Sequence, residues 1–523
     1  MINFLKENKF RILGWLVFLS SYLCYFTTKN EFKYQSLFNA DLMGIPSLYF
    51  DIFKDGGKLS DWYLASAPTL FPDFTLCYVL FDWFGLDFVA LLFVYGLIQT
   101  TLIVWLSIFI LEKTLPKKIS NNTWLIPVFF SFTFLESYYF TQHDFFANIL
   151  VSPCYHGGAL TMTLACLAVY LSDLNAVVKY VLFFIFCFLG VFSDMLFIPL
   201  FVAPFFTAKI VLFKFGGIKS TVFNLILLII SSLLAFKLYN YVNESSIAHF
   251  IKPNILAVDN INLSWQTFYS QMKEYICMPG FRSIQIAFSF IAPVVCFLIL
   301  MFFYKRLESG TRFILLFYSG FSVIVFATPI INGSYIAWDI IRYSISPIFF
   351  SMAFLGVAVA WLIDALIRNV TLKKMALYAV PVFFLAINIP KFSFSALNGY
   401  FDYYPVMTHE IDSIAEKHHL RNGIADYWNS KNITMFSKNG ITIRSVYRGI
   451  DIFPFGGNIS WFYNREFDFV ISDYILAAQI KKYLVITDSI KTPHFLVLKV
   501  KKFVFPPGEV FPKCVDSLDL KNN

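Results

Sequence analysis

Asp41, Asp51, Asp55, Asp61 and Asp73 crowd one short stretch of a 523-residue chain in which only 14% of residues are charged. Asp41 lies in Phe38-Asn-Ala-Asp-Leu-Met-Gly-Ile-Pro46, just after a first apolar run. Further along come His143-Asp144, Pro153-Cys-Tyr-His156-Gly-Gly, Ser193-Asp194 and Trp338-Asp339-Ile-Ile-Arg342-Tyr343. A carboxylate such as Asp41 can take the proton of an acceptor hydroxyl. An arginine such as Arg342 can hold a departing phosphate through paired, charge-assisted hydrogen bonds. His143, Asp144 and His156 can bind phosphate or a divalent metal, although their spacing matches no standard site. Blander readings stand beside these: a helix cap for Asp194, snorkelling to headgroups for Arg342, and plain solvation for Asp55 and Asp87.

What must position these groups is a membrane-spanning framework. At 58% hydrophobic and 20% aromatic residues, the chain is too apolar to clothe a soluble surface. Runs of roughly 20 apolar residues, enough to cross about 30 Å of hydrocarbon, recur about eleven times. They lie near 10–27, 87–112, 123–137, 158–173, 178–193, 195–213, 221–238, 283–304, 313–331, 344–367 and 375–390. The net charge of +8 sits mainly in the short loops between them. Lys6, Lys9 and Arg11, then Lys113, Lys117 and Lys118, then Lys305, Arg306 and Arg312 fall on one side, which the positive-inside rule makes cytoplasmic. The first segment is an uncleaved signal anchor. The N-terminus is then inside. Loop 28–73, the connections bearing His143 to His156, Asp194 and Arg342, and the tail are outside. Four outer connections could thus gather carboxylates, imidazoles and a guanidinium at one rim. No basic stretch is long enough to bind nucleic acid.

The organisation expected is an α-helical polytopic domain over 1–393 and a small extracytoplasmic α/β domain over 394–523. In the tail, Glu410 to Leu420 has a helical pattern, and Gly423–Trp428, Ile441–Tyr447 and Glu466–Ser472 read as strands. Tyr483 to Asp488 and His494 to Val500 read as a closing hairpin. The loop from Tyr239 to Arg282 includes an interfacial stretch, Ile251 to Phe268. The eight cysteines show no metal spacing; Cys154, Cys277 and Cys514 fall outside, where one disulfide can form.

In this architecture and in residues 38–73 the chain resembles the GT-C glycosyltransferases, multi-span enzymes that use sugars carried on polyprenyl phosphate. They include the protein O-mannosyltransferases and the aminoarabinose transferases acting on lipid A. The parallel runs through Asp41, the helix-like Leu48 to Lys54, Gly57-Lys-Leu-Ser-Asp61-Trp62, Ala67-Pro68-Thr-Leu-Phe-Pro72-Asp73 and the pair Arg342-Tyr343. Asp41 stands between Ala40 and Leu42, without the adjacent second acid common in those enzymes, and the Glu-Lys-Pro-Pro run of the aminoarabinose transferases is missing.

The resemblance implies inverting transfer from a polyprenyl-phosphate-linked sugar to a lipid, glycan or protein acceptor, at the outer face of a bacterial inner membrane. Asp41 would be the base and Arg342, with Tyr343, would steady the lipid phosphate. His143, Asp144, His156, Asp194, Asp61 and Trp62 would line the substrates, with a divalent metal as the one candidate cofactor. A transporter or flippase of a lipid-linked glycan is the alternative, although no inverted repeat or interrupted mid-membrane helix is evident. A membrane scaffold is a third reading; it leaves the acids unexplained.

Overall fold

The computed structural model describes residues 2–27, 31–120, 122–139, 146–213, 218–251, 256–447, 450–463, 465–472 and 477–505. Contacts divide the chain into two units. Unit 1 comprises Met1–Phe32, Thr69–Leu238 and Asn254–Phe401; unit 2 comprises Lys33–Pro68, Tyr239–Pro253 and Asp402–Asn523.

Unit 1 is helical. Among the described residues eight helices are long and apolar enough to cross a membrane: Lys9–Thr27, Phe88–Thr114, Ala176–Ser193, Lys219–Glu244 (whose end passes into unit 2), Phe281–Arg306, Ser309–Ile331, Ser346–Leu366 and Val370–Lys391. Three shorter apolar helices, Thr123–Leu135, Gly157–Leu171 and Ile198–Val211, occupy the remaining runs expected from sequence. The 15-residue helix Gly157–Leu171 rises only about 22 Å, less than the hydrocarbon thickness. The turn that precedes it is largely buried in protein, the setting in which non-helical backbone is tolerated at such depth. Polar contacts tie spans that are distant in sequence. Asn388 donates from Nδ2 to the hydroxyls of Ser21 (2.6 Å) and Ser20 (3.1 Å), joining the first span to the last, as small polar side chains do between membrane helices.

Unit 2 carries two sheets. The strands, in chain order, are β1 (Trp62–Leu64), β2 (His249–Phe250), β3 (Asn422–Ala425), β4 (Thr442–Tyr447), β5 (Asp451–Ile452), β6 (Gly457–Asn458), β7 (Phe467–Ile471), β8 (Ile486–Lys491) and β9 (Leu496–Phe503). The large sheet runs β5-β4-β3-β7-β9-β8 and the small one β2-β1-β6. In the large sheet β3 is parallel to β4 and β7, while β8 and β9 form the expected antiparallel hairpin. Alternation along the strands sends Ile424 and Val470 into one core cluster and Ala425, Phe469 and Ile471 into the other, the period-2 rule for a sheet covered on both faces.

Four readings of the sequence change here. Loop residues Lys33–Pro68 and Tyr239–Pro253 cluster with the tail, since β1, β2 and β6 build one sheet from three distant segments. The stretch Gly423–Trp428 is a strand only to Ala425. Asp426 then caps the helix Tyr427–Phe436, its Oδ1 accepting the backbone N–H of Trp428 at 2.8 Å, which a short acidic side chain at a helix start favours. The stretch Ile251–Phe268 is likewise divided, its second half entering the helix Ile261–Cys277. Asp87 does more than face solvent, for it caps the helix Phe88–Thr114 through the N–H of Ala90. Cys277 is a free thiol, and Cys514 lies outside the described residues.

Candidate functional site

Unit 1 gathers its acids around the turn before the helix Gly157–Leu171. His156 ends that turn in the left-handed region (φ 65°), and Cys154 shares it (φ 89°). Such backbone is uncommon for residues other than glycine and is found where surrounding structure holds it. His156 Nδ1 lies 2.5 Å from Asp194 Oδ2, both side chains being buried. Asp194 follows the last residue of the helix Ala176–Ser193, and its Oδ1 accepts the N–H of Leu196. The capping-type role expected as the bland reading and the contact with His156 therefore coexist, one on each oxygen.

Asp73 stands in the same region, 2% exposed. Tyr95 donates its hydroxyl to Asp73 Oδ1 at 2.5 Å and also meets Gln99, one turn along the same helix. Gly158 is needed for this approach: a Cβ there would sit 2.2 Å from Asp73 Oδ1. The paired glycines after His156 thus make room for side chains as well as for a turn. The carboxyl of Asp73 is pushed up to about 7, first by burial, with Asp194 adding to the rise. The Tyr95 hydroxyl, the Cys154 backbone N–H and His156 oppose it.

The consequence for stability has a definite sign. Between pH of about 4 and about 7 the unfolded chain ionises this group while the folded chain keeps its proton, so stability falls as pH rises through that window. Asp73→Asn mimics the protonated form. It is expected to flatten the pH dependence of the melting temperature between those limits, measured on detergent-solubilised protein; a profile parallel to that of the wild type would contradict the assignment.

Arg342 and Tyr343 lie in the same unit. The Tyr343 ring is 4.9 Å from the His156 imidazole, centroid to centroid. The Arg342 guanidinium faces the rings of Tyr343 (5.3 Å) and Tyr155 (5.8 Å), and Nη1 is 3.8 Å from Asp339 Oδ2, a half-exposed and loose pair. A second guanidinium was not evident from sequence. Arg282 is buried at the start of the helix Phe281–Phe303, its Cζ 3.6 Å from the Phe146 ring centroid, within the range of a cation–π contact.

In unit 2, Asp41 is half-buried and accepts the Tyr427 hydroxyl at Oδ1 (2.7 Å), while its backbone N–H donates to Asn39 Oδ1. Asp51 is more enclosed, at 6% exposure. Its Oδ2 accepts Trp62 Nε1 (2.7 Å) and Asn458 Nδ2 (2.8 Å), and its Oδ1 accepts Trp461 Nε1 (2.5 Å). Gly57 passes so close that a Cβ would lie 2.1 Å from Asp51 Oδ2. The Gly-x-x-x-Asp-Trp turn therefore serves to deliver the fully buried Trp62 indole to Asp51. Asp61, next to it, is only half-buried and meets Ser60 Oγ at 3.5 Å.

Of the residues singled out from sequence, the structure brings His156, Asp194, Arg342 and Tyr343 into one neighbourhood of unit 1. Asp41, Asp61 and Trp62 belong to unit 2, and His143 and Asp144 lie outside the described residues. Among the described residues no three His, Cys, Asp or Glu side chains are grouped so as to hold a metal ion. Sequence reasoning missed Tyr95, Gln99 and Arg282 as site residues. The first two carried a signal: polar groups four apart inside an apolar span.

No protein-family profile matches the chain, and no curated protein matches it. Among solved structures it is similar to ArnT from Cupriavidus metallidurans bound to undecaprenyl phosphate. The TM-score is 0.54 at 10% sequence identity, over 97% of this chain and 100% of that one. The chain has the fold of that protein.

Proposed function

We propose that this protein transfers a sugar from a polyprenyl-phosphate carrier to an acceptor of the cell envelope, at the outer face of a bacterial inner membrane. The observation that carries the reading is the His156–Asp194 pair beside Tyr343 and Arg342, at the ends of apolar helices of unit 1. A buried ionisable cluster in a membrane domain is costly and marks function. The solved structure of similar fold is bound to undecaprenyl phosphate, which is the leaving group such a transfer would release.

In the reaction the acceptor oxygen attacks the anomeric carbon, the bond from that carbon to the phosphate oxygen breaks, and configuration inverts. Asp41 takes the acceptor proton. Arg342 neutralises charge on the departing phosphate, and the planar fork of its guanidinium can hold two oxygens at once. The His156–Asp194 bond fixes the imidazole beneath Tyr343 and so holds the aromatic side of that group in place.

The test is release of free undecaprenyl phosphate from lipid-linked sugars by the protein reconstituted in vesicles. Movement of intact lipid-linked sugar across the bilayer with no such release would favour a transporter instead. Arg342→Lys keeps the charge and loses the fork, and is expected to raise the donor KM about tenfold or more, the scale of a charge-assisted hydrogen bond. An unchanged KM would return Arg342 to a headgroup-facing role.

A further inference from the structure

The helices that carry His156 and Asp194 at one end hold a cavity at the other. The helices Gly157–Leu171 and Ala176–Ser193 are 15 and 18 residues long, so the two places are separated by about 20–27 Å along the helix axes. The cavity encloses about 420 Å³ and its lining includes Tyr170, Lys179, Lys209, Asn224, Tyr304 and Arg312. It lies on the side of the basic loops, opposite to the His156–Asp194 pair.

Lys209 is the central observation. It is 8% exposed, and its ammonium donates to the Tyr170 hydroxyl. Around it stand the rings of Tyr170 (4.4 Å), Phe313 (5.6 Å) and Phe205 (5.8 Å). Aromatic faces offset part of the cost of burying a cation, but a buried charge normally needs an opposite charge or coordination. Among the described residues no Asp or Glu lines this cavity; Asp173, near Lys179, is paired with Lys113. Arg312 donates Nε to the Leu307 carbonyl at 2.9 Å and stacks on Tyr304, which leaves its other guanidinium nitrogens for an anion. Lys179 adds a third cation.

We infer that this cavity binds a phosphate group. Its volume falls in the range of ligand sites, and basic pockets between spanning helices hold the headgroups of anionic lipids. Phe223, 43% exposed, packs its ring on the lining Tyr180 at 4.6 Å, an apolar surface that acyl chains would cover. A lipid headgroup and a soluble phosphate share this recognition chemistry. The inference does not depend on the transfer reaction proposed above.

The experiment uses the full chain in a zwitterionic detergent. Short-chain phosphatidylglycerol, phosphatidylcholine, inorganic phosphate and pyrophosphate are titrated separately, with binding read by native mass spectrometry and by thermal shift. Phosphatidylglycerol is expected to bind, with its affinity reduced at least about fivefold in Lys209→Met and in Arg312→Gln, the scale of one cation near an anionic headgroup. Binding of inorganic phosphate or pyrophosphate alone, with the same loss in the variants, would support the site and assign it a soluble ligand. Should Lys209→Met fail to fold, Lys179→Gln at the half-buried rim carries the comparison. Wild-type protein that binds none of the anions better than phosphatidylcholine, or folded variants that bind them equally well, would overturn the inference.

Discussion

Asp41→Asn is expected to lower sugar transfer about 10²–10⁴-fold, the range by which a positioned base accelerates proton transfer, while leaving the protein folded. The amide has the size of the carboxylate and keeps an oxygen that can accept the Tyr427 hydroxyl, which now reaches Oδ1 at 2.7 Å. The backbone contact with Asn39 does not involve the side chain. What the substitution removes is the capacity to hold a proton. A partner variant separates the chemical role from a structural one: Tyr427→Phe deletes the hydrogen bond and retains the carboxylate, so it should keep most of the activity. Both are read by consumption of the lipid-linked donor in membranes, with melting temperature as the control for folding. Equal loss in the two variants, or full activity in Asp41→Asn, would remove Asp41 as the base.

Asp51→Ala should produce the largest loss of stability, on the order of 3–5 kcal/mol. It strands three nitrogen donors, those of Trp62, Asn458 and Trp461, and each buried unsatisfied group costs about 1–3 kcal/mol. These donors come from β1, from β6 and from the turn after it, so one carboxylate ties the first loop to the C-terminal segment within unit 2. Asp51→Asn retains a carbonyl acceptor and should fall between. Near-ultraviolet circular dichroism of the tryptophans during denaturation reports the effect. A loss below about 1 kcal/mol would mean that the three donors find other acceptors. The sequence Asn458-Ile-Ser matches a glycosylation acceptor, yet Asn458 is fully buried against Asp51, so modification there would require this unit to open.

The membrane-length helices were legible because their signal is local. An apolar window of some 18–20 residues announces itself whatever the rest of the chain does, and all eleven runs are helices. The strands of the tail were legible for the same reason, since alternation in Ile441–Tyr447 or Glu466–Ser472 is a property of consecutive residues. The errors were also local: Gly423–Trp428 continued an apolar pattern past Asp426, a residue whose capping role outweighs strand propensity.

The chemistry of the acids was legible only as residue type. Asp41, Asp51 and Asp73 look alike in sequence, three aspartates in the loop after the first span. Tertiary structure gives them different partners: a tyrosine from the tail for Asp41, a cage of indoles and an amide for Asp51, and a buried phenol for Asp73. Those partners lie as far as 410 residues away. No periodicity encodes such a pairing, and a carboxylate's protonation and reactivity depend on the dielectric and donors that distant segments bring to it. The sequence by itself therefore determined the helices, the strands and the supply of acidic, basic and aromatic groups. Which acid is a buried staple, which has its carboxyl raised by burial and which remains half-buried beside a phenol was decided by folding, because desolvation and hydrogen bonding arise only when segments far apart in the chain close around the same atoms.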